Sequence, residues 1–509
     1  MKPARIAKLY LLFLAVSLFT RAYMLPVDVI DIDESQYAAG SWVLMDGGLL
    51  YTDYVDNKPP LLYVYYAVAQ LLFGRGLAAV HLFTILFTVP LTALACAAFF
   101  DFGRRGLVAG LIFLVYSAAY LAHDMHASNA ELPMILPGAW ALALVRSEER
   151  LRRPAVLALA GSLVGAGVLL KYQVITWLPA ILFACIYDCI RRKQIAAAVP
   201  PLLAAGIGLA APLLAAWFWF DSRHGAEPLL YWTLRNNLAY AANPISLREA
   251  AGRFAANAVP FALVTSPLWW LCAGFPRDDE SRHRRVLVLS TLALSVPPAF
   301  LGFRFYPHYF IQIYVPLCLG AAPRVASLLN PPAGRGRAFL GYSAGIWLLF
   351  AGINAALYYT DSGVYRETDP VFCRVADRLR QDPCYANASM FVWGYSPLYY
   401  HAGLKPASRF AVLPQSGLTG YVSGNLGNLA AGSSPQQSLH EDHWQVLISD
   451  LERSQATYMI DTSPAAIFRW DRYPIHDFPQ LQRYLQDHYA QIDTVGGIVL
   501  YRRLGCRSK

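Results

Sequence analysis

Long apolar segments separated by short, Arg-rich loops recur through residues 1–359, and this pattern constrains the fold more than any other feature. Many of the segments approach the ~20 residues that a helix needs to cross a bilayer. Only 15% of all residues are charged and 56% are hydrophobic, whereas soluble domains carry about 25% charged residues. The sequence therefore predicts an all-α polytopic membrane protein over this part of the chain.

The basic loops give the predicted spans an orientation, because Lys and Arg concentrate on the cytoplasmic side of membrane proteins. Lys2, Arg5 and Lys8 place the N-terminus in the cytoplasm. Alternating spans then leave every dense basic cluster inside and give about 11 transmembrane helices. The predicted spans are 7–25, 77–100, 106–122, 131–146, one ending near Lys171, 173–190, 196–220, 255–275, one leading to FRFYPHYF, 308–323 and 338–359.

Residues 60–74 form an apolar run that is shorter than the spans and rich in tyrosine. Counting this run as a further span would move the later basic clusters to the outer side, against the rule that sets the orientation. We therefore predict a re-entrant or juxtamembrane helix in the first outer loop.

The remaining part of the chain, residues 360–509, is more polar and contains short patterned runs. QVLISD, TYMIDT and GGIVLYRR are predicted to be strands, and FPQLQRYLQDHYA is predicted to be a helix. We predict a transmembrane domain over 1–359 and a small extracytoplasmic α/β domain over 360–509.

The net charge of +9 does not indicate a nucleic-acid partner. Nucleic-acid-binding proteins carry their basic residues on one face, with aromatic side chains between them. Here the basic residues occupy short loops, as expected of membrane proteins.

The eight cysteines divide by their surroundings. Five lie in apolar runs and are expected to be small packing residues. Cys373 and Cys384 lie in the polar C-terminal part and could form a disulfide in an oxidising compartment, leaving Cys506 unpaired. No cysteine spacing is typical of a zinc site.

The first outer loop begins with the acidic stretch DIDESQYAAG. Asp33 and Glu34 have two interpretations. One of them could be a general base that takes a proton from an attacking hydroxyl, or the acids could cap an amphipathic helix that follows. Asp31 could be a cap or a solvated neighbour.

Lys58 stands in the sequence DNKPP, directly before two prolines. The prolines restrict the backbone there and so fix where the ammonium points. A fixed cation at the membrane interface suits a phosphate, although a lysine at this depth could also extend towards lipid headgroups.

Further polar residues fall at the predicted outer ends of the helices, where ionisable groups are expensive and usually functional. Structural roles remain open for them, such as helix-dipole stabilisation, a turn or an aromatic belt. The candidates for binding a phosphate are Lys171, Arg235, Arg304 and His308, and the candidates for lining an outer cavity are Glu131, Asn236, Tyr240 and Tyr309.

The HDMH sequence, with His123, Asp124 and His126, contains metal-ligand residue types. These residues are too close together for a closed metal site, and no further ligand is evident. We predict no metal ligands. The sequence indicates no cofactor, and dependence on a divalent metal is left open.

Taken together, these features resemble the GT-C glycosyltransferases related to protein O-mannosyltransferases and lipid A aminoarabinose transferases, in a bacterial form similar to glycosyltransferase family 39. DIDESQYAAGSWVLMDGGLLYTDYVDNKPPLLYVYYAVAQLLFG is similar to the family's first-loop signature. In that signature an Asp-Glu pair follows the first helix, and Lys-Pro-Pro-Leu begins the last juxtamembrane helix. SNAELPMILPGAWAL, GVLLKYQVITWLP, FYPHYFIQIYVPL and VWGYSPLYYHAGLKPASRF resemble later segments, so that the resemblance covers most of residues 1–410.

The resemblance implies roles for four residues. Asp33 is the implied catalytic base with Glu34 beside it, Lys58 is the implied phosphate-side lysine, and Glu131 is an acidic position lining the same cavity. The chain departs from the aminoarabinose transferases at Asn57, where they carry an acid, and the extra repeat domain of eukaryotic O-mannosyltransferases is not seen. These departures leave the donor sugar and the acceptor open.

The function implied by the resemblance is transfer of a monosaccharide from a polyprenyl-phosphate carrier to an acceptor hydroxyl, with inversion at the anomeric carbon. The acceptor would be a lipid, a glycan or a protein. The protein would be a multi-pass protein of the bacterial inner membrane, with its active site and C-terminal domain facing outwards. The alternatives are a transporter or flippase of a lipid-linked or anionic substrate, which would place polar groups near the membrane midplane, and a surface-polysaccharide ligase or polymerase.

Overall fold

Helices occupy most of the chain in the computed structural model, which describes residues 3–119, 123–238, 245–276, 278, 281–329, 334–359, 370–411 and 441–506. The helical segments in these residues are α1 Pro3–Arg21, α2 Ile32–Met45, α3 Pro60–Phe73, α4 Leu77–Phe99, α5 Arg104–Tyr116, α6 His123–His126, α7 Glu131–Leu144, α8 Glu148–Leu151, α9 Pro154–Val168, α10 Tyr172–Arg191, α11 Ile195–Asp221, α12 Ala226–Leu230, α13 Leu247–Ala273, α14 Arg282–Phe303, α15 Pro307–Leu328, α16 Gly334–Tyr359, α17 Pro370–Arg380, α18 Leu398–Ala402, α19 Glu441–Ser454 and α20 Pro479–His488. The strands are β1 Ser389–Trp393, β2 Lys405–Pro406, β3 Tyr458–Asp461, β4 Tyr489–Val495 and β5 Ile498–Arg503.

Seven of the helical segments in the described residues are long and apolar enough to cross a membrane, namely α1, α4, α10, α11, α13, α14 and α15. Shorter apolar helices are α3, α7 and α9. The predicted polytopic, mostly helical architecture is confirmed. The count of 11 spans stays a prediction, as does the re-entrant character of α3.

The spanning helices differ in how deeply they are buried within the protein. The apolar stretches of α4 and α15 are 72% and 83% buried, whereas that of α1 is only 17% buried. The outer helices expose large apolar side chains such as Phe19, Leu203 and Ile207. Exposed apolar surface on helices of this length is expected where lipid, rather than water, surrounds the protein.

Two of the long helices widen into a π-helical turn just before a proline. Thr84–Thr88 precedes Pro90 in α4, and Phe254–Ala258 precedes Pro260 in α13. Proline cannot donate the backbone hydrogen bond that continues an α-helix, and a local change in helical pitch accommodates the interruption.

Helices α9 and α11 pack closely because small residues line their contact. A Cβ on Gly161 would lie 2.2 Å from the Ala205 carbonyl oxygen, and one on Gly208 would lie 1.9 Å from the Ala158 carbonyl oxygen. Gly161 and Gly165 form a small-xxx-small spacing, which lets membrane helices approach to backbone contact. A larger side chain at these positions would force the helices apart.

The chain divides into two compact units. The helical unit comprises Met1–Ile30, Pro59–Trp219 and Arg248–Tyr365. The sheet unit comprises Asp31–Lys58, Phe220–Leu247 and Arg366–Lys509. It therefore contains two segments from the first half of the chain, which carry α2 and α12, as well as the C-terminal part. The division predicted between residues 359 and 360 stays a prediction, because residues 360–369 lie outside the described residues.

The sheet unit is built on five strands in the order β2-β1-β3-β5-β4. Strands β2, β1 and β3 are parallel, and β3, β5 and β4 are antiparallel. The core is made by strand residues such as Phe391 and Ile460 together with large aromatic residues, among them Trp393, Trp444 and Trp470. The predicted strands TYMIDT and GGIVLYRR and the predicted helix FPQLQRYLQDHYA are confirmed as β3, β5 and α20.

The strand predicted at QVLISD is wrong, because this run lies within helix α19. The six residues alone look strand-like, but the longer sequence EDHWQVLISDLERS has a helical period. Trp444, Leu447 and Leu451 are buried at the i, i+3 and i+7 positions of one helix face, a spacing typical of an amphipathic helix.

The disulfide considered between Cys373 and Cys384 is also wrong. Cys384 is bonded to Cys506, across 122 residues, and Cys373 is exposed and not part of this bond. The end of β5 brings Cys506 to the loop that follows α17, a tertiary approach that cysteine spacing does not reveal. The five cysteines predicted to be packing residues are buried: Cys96, Cys185, Cys189, Cys272 and Cys318.

Candidate active site

The acidic stretch begins helix α2 and assigns different roles to its three acids. Asp31 is the N-cap, and its Oδ1 accepts a hydrogen bond from the Asp33 N–H at 2.8 Å. Glu34 is fully buried, and its Oε2 accepts from the Asp31 N–H at 3.2 Å. These two acids complete a capping box. The capping interpretation therefore holds for Asp31 and Glu34.

Asp33 takes no part in the capping box through its side chain. Its Oδ2 accepts a hydrogen bond of 2.8 Å from the hydroxyl of Tyr37, one turn further along α2. The same oxygen lies 3.7 Å from Lys58 Nζ. The side chain of Asp33 is 24% exposed, so a second molecule can reach this carboxylate.

The ammonium of Lys58 lies among three groups that attract a cation. Besides the Asp33 carboxylate, the side-chain oxygen of Asn57 accepts a hydrogen bond from Nζ at 3.1 Å. Nζ also lies 5.6 Å from the centre of the Tyr37 ring, within the range of a cation–π interaction. The Lys58 side chain is 13% exposed.

The loop that carries Lys58 is fixed by hydrogen bonds to its backbone. The Tyr51 hydroxyl donates to the Lys58 carbonyl at 2.7 Å, and the side-chain amide of Asn237 donates to the Asn57 carbonyl at 2.6 Å. The Tyr54 hydroxyl donates to the Gln36 carbonyl at 2.7 Å, which ties the same loop to α2. These contacts limit the motion of the ammonium relative to the carboxylate.

The same two segments also contact the C-terminal part of the sheet unit. Gln36 Nε2 donates to Ser396 Oγ at 3.3 Å. The Val55 N–H donates to the Arg409 carbonyl at 2.8 Å, and Asp450 accepts from the Arg409 guanidinium at 2.9 and 3.0 Å. The sheet therefore supports the helix and loop that carry Asp33 and Lys58.

A second cluster of predicted residues lies in the helical unit. Glu131, the first residue of α7, is almost fully buried, and Lys171 Nζ lies 2.8 Å from its Oε1. His308 Nε2 lies 3.8 Å from the same oxygen. Three residues that are far apart in sequence are thus brought together, and the buried carboxylate has a cation at hydrogen-bonding distance.

Aromatic rings surround the cations of this second cluster. Lys171 Nζ lies 5.5 Å from the centre of the Tyr309 ring, and His308 stacks on Tyr306 with ring centres 5.5 Å apart. The guanidinium of Arg253 lies 5.2 Å from the Tyr306 ring. The rings of Tyr309 and Tyr306 therefore contact charged or ionisable groups of this cluster.

The remaining predicted residues have different surroundings. Arg304 is almost fully buried and directly follows a kink at which Gly302 has a φ of +65°. Arg235 is 71% exposed, and Glu227 lies 3.9 Å from it. Asn236 is half-buried. Within the described residues of the sheet unit, no hydrogen bond or ion pair joins Arg235 or Asn236 to Asp33 or Lys58.

Tyr240 lies outside the described residues. Of the HDMH motif, the side chains of the first two residues also lie outside them, and His126 is buried. The Tyr23 hydroxyl is 3.2 Å from His126 Nε2, and burial, followed by the charge of Arg21, lowers the pKa of His126 to about 3. No group of three potential metal ligands occurs in the described part of the chain.

The chain is similar to two solved structures of ArnT, an aminoarabinose transferase, from Cupriavidus metallidurans. The complex of ArnT with undecaprenyl phosphate has 13% sequence identity and a TM-score of 0.55, and the match covers 98% of this chain and 97% of that one. The apo form has 14% identity and a TM-score of 0.52, covering 96% and 97%. The chain has the GT-C fold.

A further similarity is to the oligosaccharyltransferase of Archaeoglobus fulgidus, solved with a tethered acceptor peptide. Its identity is 10% and its TM-score 0.48, and the match covers 96% of this chain and 72% of that one. No protein-family model and no curated protein sequence matches the chain. The GT-C fold predicted from the sequence is thus confirmed by structure, at low sequence identity.

Two residues that contact Asp33 and Lys58, namely Tyr37 and Asn57, were not predicted from the sequence as site residues. Tyr37 stands four residues after Asp33, and residues at this spacing share a helix face, so a helix starting at Ile32 could have indicated the pair. Asn57 was considered only as a departure from the aminoarabinose transferases, although its amide oxygen accepts a hydrogen bond from Lys58.

The chemistry available on this GT-C fold follows from the two clusters taken separately. In the sheet unit, an accessible carboxylate stands beside an ammonium, so that a proton acceptor and an anion-binding cation lie within one site. In the helical unit, Lys171 and His308 supply cationic or hydrogen-bonding groups beside a buried acid.

Proposed function

We propose that the protein is an inverting glycosyltransferase that moves a monosaccharide from a polyprenyl-phosphate carrier to an acceptor hydroxyl. The observation that carries this proposal is the pair formed by Asp33 and Lys58. A partly exposed carboxylate that accepts a hydrogen bond from Tyr37 lies 3.7 Å from an ammonium. The GT-C fold supports the proposal.

In the proposed reaction, the acceptor oxygen attacks the anomeric carbon of the donor sugar. The new bond from carbon to the acceptor oxygen forms as the bond from carbon to the phosphate oxygen breaks, and the electron pair leaves with the polyprenyl phosphate. Asp33 takes the proton of the acceptor hydroxyl. A single displacement from the opposite side inverts the configuration of the anomeric carbon.

The leaving phosphate gains negative charge as this bond breaks, and cations that are already in place stabilise that charge. Lys58 is the proposed first contact, since its ammonium is adjacent to the base. In the proposal, the donor-phosphate groups are Lys58, Lys171, Arg235, Arg304 and His308, and the substrate-cavity groups are Glu131, Asn236, Tyr240 and Tyr309. Glu34 is the proposed second acid beside Asp33, and its side chain also completes the capping box with Asp31.

A polyprenyl-phosphate donor is supported by the fold relative that binds such a lipid, because ArnT from Cupriavidus metallidurans was solved with undecaprenyl phosphate. The isoprenoid chain would occupy an apolar groove between helices. The proposed acceptor class remains a lipid, a glycan or a protein that offers a hydroxyl.

The proposed location is the bacterial inner membrane, with the active site and the C-terminal part facing outwards. The Cys384–Cys506 disulfide supports an extracytoplasmic position for the sheet unit, because disulfides persist in oxidising compartments and are rare in the cytosol. The seven apolar helices support the multi-pass topology.

A transporter or flippase of a lipid-linked substrate is the second candidate, and the buried Glu131–Lys171 pair favours it, since paired charges inside helical membrane proteins also mark transport pathways. The two functions differ in whether the phosphate–sugar bond breaks. A polysaccharide ligase or polymerase would also break a sugar–phosphate bond, but it would use a lipid-linked glycan.

The experiment that tests the proposal reconstitutes the purified protein in liposomes with undecaprenyl-phosphate monosaccharides and an extract of cell-envelope acceptors. Mass spectrometry follows both the lipid donor and the acceptors. We expect free undecaprenyl phosphate to appear together with a glycosylated acceptor that is also missing from cells lacking the gene. A donor that crosses the membrane with its sugar still attached would instead identify a transporter.

A further inference from the structure

A cavity of about 540 Å³ opens in the C-terminal part of the sheet unit. This volume is within the range of about 300–1,000 Å³ that is typical of small-molecule sites. None of its lining residues belongs to the Asp33–Lys58 pair or to the Glu131 cluster. The lining residues are Asp461, Ser463, Pro464, Asp471, Pro474, Ile475, His476, Gln482, Leu485, Gln486, Tyr489, Val499 and Tyr501.

The floor of the cavity is one face of the sheet. Asp461 pairs with Val499, and Met459 pairs with Tyr501, in the antiparallel ladder of β3 and β5. Side chains two residues apart on a strand point to the same face, so Asp461, Val499 and Tyr501 lie together. All three line the cavity.

One wall of the cavity is a face of helix α20. Gln482, Leu485 and Gln486 line the cavity, and their i, i+3 and i+4 spacing places them on one side of the helix. The segment between β3 and α20 supplies the opposite wall through residues such as Pro464 and His476. The cavity is thus bounded by three separate elements of the sheet unit.

Asp461 is the more buried of the two carboxylates that line the cavity. It is only 6% exposed, and its Oδ1 accepts hydrogen bonds from the Ser463 N–H at 2.9 Å and the Ser463 hydroxyl at 2.6 Å. Within the described part of the chain, its other carboxylate oxygen makes no hydrogen bond or ion pair. Burial raises the pKa of Asp461, although the bonds from Ser463 oppose this rise. Asp461 therefore places a buried hydrogen-bond acceptor at the floor of the cavity, where a ligand hydroxyl could donate to it.

The other lining groups match the chemistry of a carbohydrate. Amide side chains both donate and accept hydrogen bonds, and a carboxylate accepts several, so that Gln482, Gln486 and Asp461 can satisfy neighbouring hydroxyl groups. The rings of Tyr489 and Tyr501 and the side chains of Leu485 and other apolar residues offer surfaces for the C–H faces of sugar rings.

Other ligand classes fit this cavity less well. Two of its side chains, Asp461 and Asp471, are carboxylates, which disfavours a phosphate or another anion. The described residues contain no group of three potential metal ligands. A peptide that adds to a sheet requires a free strand edge, whereas β3 and β5 are both paired on their two sides.

We propose that this cavity binds a neutral carbohydrate and holds part of a glycan acceptor. Strands β1 and β3 are parallel, and Trp393 pairs with Asp461 where both strands end. Ser396, three residues after β1, bonds to Gln36 on the helix that carries Asp33. The cavity and helix α2 therefore both adjoin the C-terminal ends of strands β1 and β3. The acceptor role rests on the proposed function, but the carbohydrate binding does not.

The test measures binding of the full-length protein to an array that carries neutral oligosaccharides, acidic oligosaccharides and unglycosylated peptides. The protein is held in lipid nanodiscs or in a sugar-free detergent, because maltoside detergents would compete for the cavity. Two variants address the cavity. Asp461→Asn keeps the acceptor for Ser463, and Gln486→Ala changes an exposed residue of helix α20. Gln491→Ala, an exposed glutamine on β4, is the matched control.

We expect binding to at least one neutral oligosaccharide, weakened about tenfold or more by Gln486→Ala and Asp461→Asn and unchanged in Gln491→Ala. The inference is overturned if no neutral saccharide binds, if only acidic saccharides or peptides bind, or if both cavity variants bind like the wild type. Saccharide binding in a protein without transferase activity would reject only the proposed function. Transfer without cavity-dependent binding would reject only this inference.

Discussion

Lys58 Nζ lies 3.7 Å from Asp33 Oδ2, a separation longer than a hydrogen bond. Asn57 Oδ1 accepts a hydrogen bond from the same ammonium at 3.1 Å, and both charged side chains keep partial access to solvent. The attraction between the two charges is therefore electrostatic and open to competition. In the proposed function, a donor phosphate replaces Asp33 as the anion beside this ammonium, and Asp33 accepts the proton of the acceptor hydroxyl.

Removing the Lys58 charge is predicted to impair use of the donor. We expect Lys58→Ala to lower kcat/KM for the polyprenyl-phosphate sugar by about 10- to 100-fold, because a hydrogen bond to a charged group contributes about 1.5–3 kcal/mol. Donor-dependent initial rates in liposomes measure this effect. The acceptor KM should change much less, since the ammonium is assigned to the phosphate.

Lys405→Ala is the matched control for this prediction. Lys405 Nζ lies 2.9 Å from Asp46 in the same unit, and its side chain is largely exposed, so its removal deletes a similar ion pair without touching the proposed site. Equal donor kinetics in the Lys58 and Lys405 variants would refute the phosphate role of Lys58.

The Glu131–Lys171 pair is predicted to combine a structural and a functional role. Glu131→Gln leaves the half-buried ammonium of Lys171 without its carboxylate, and breaking a buried ion pair costs about 3–5 kcal/mol. We expect a lower apparent melting temperature in detergent. In the double variant Glu131→Gln, Lys171→Gln, most of this stability should return while donor use stays impaired.

Full activity in the stable double variant would show that Lys171 serves the fold alone. Melting temperatures and transfer rates must be measured on the same preparations, because only their difference separates the two roles. Arg253→Gln would extend the test to the ring of Tyr306, on which the Arg253 guanidinium lies.

Asp382 is predicted to stabilise the folded protein at neutral pH and to lose this effect at low pH. Burial alone would raise the pKa of this carboxyl, but hydrogen bonds from the Cys384 N–H and the Tyr458 hydroxyl, together with the Arg502 guanidinium 2.9 Å away, hold the pKa of Asp382 below its ordinary value. A lowered pKa stabilises the folded state above the unfolded value of about 3.9. This stability is lost as the pH falls through the folded pKa.

Asp382→Asn should therefore destabilise the protein at pH 7 by about 1–3 kcal/mol, and the difference from the wild type should shrink below about pH 4. Thermal unfolding of the full-length protein at several pH values measures this. Asp377→Asn, which changes a largely exposed carboxylate on α17, is the control and should behave like the wild type. A pH-independent difference between Asp382→Asn and the wild type would contradict the linkage.

The Cys384–Cys506 disulfide is predicted to be present in the protein isolated from cells. Proteolysis without reductant, followed by mass spectrometry, should recover one peptide pair joined through these two residues, and thiol labelling should modify the exposed Cys373 instead. Native disulfides typically contribute about 2–5 kcal/mol, so reductant should lower the melting temperature. Labelling of Cys384 in the unreduced, folded protein would contradict this pairing.

The parts of the fold that follow from local pattern could be predicted from the sequence. Apolar length located the membrane helices to within a few residues, as in α10 and α11, and alternation of residue types located β3 and β5. The helix over QVLISD was missed, because six residues are too few to separate a strand from one face of a helix. The helical period becomes visible only with Trp444 and Leu451, which directly flank this run on either side.

Residues of the candidate site could be predicted only where a single charged residue differs clearly from the sequence around it. Asp33 and Lys58 stand out beside apolar sequence, and the structure brings them together. Glu131 contacts Lys171 and His308, which lie 40 and 177 positions further along the sequence. Cys384 and Cys506 are 122 positions apart. Such contacts depend on tertiary packing, which local sequence does not encode.

The central claim is that the Asp33 carboxylate accepts the proton of the acceptor hydroxyl, and Asp33→Asn tests it most directly. Transfer from a polyprenyl-phosphate monosaccharide is measured with purified wild type, Asp33→Asn and the matched control Asp46→Asn, which changes the carboxylate that pairs with Lys405. The account predicts a loss of at least about 100-fold in kcat for Asp33→Asn, the scale of general-base catalysis, with unchanged melting temperature and full activity in Asp46→Asn. Near-normal turnover by folded Asp33→Asn would contradict it.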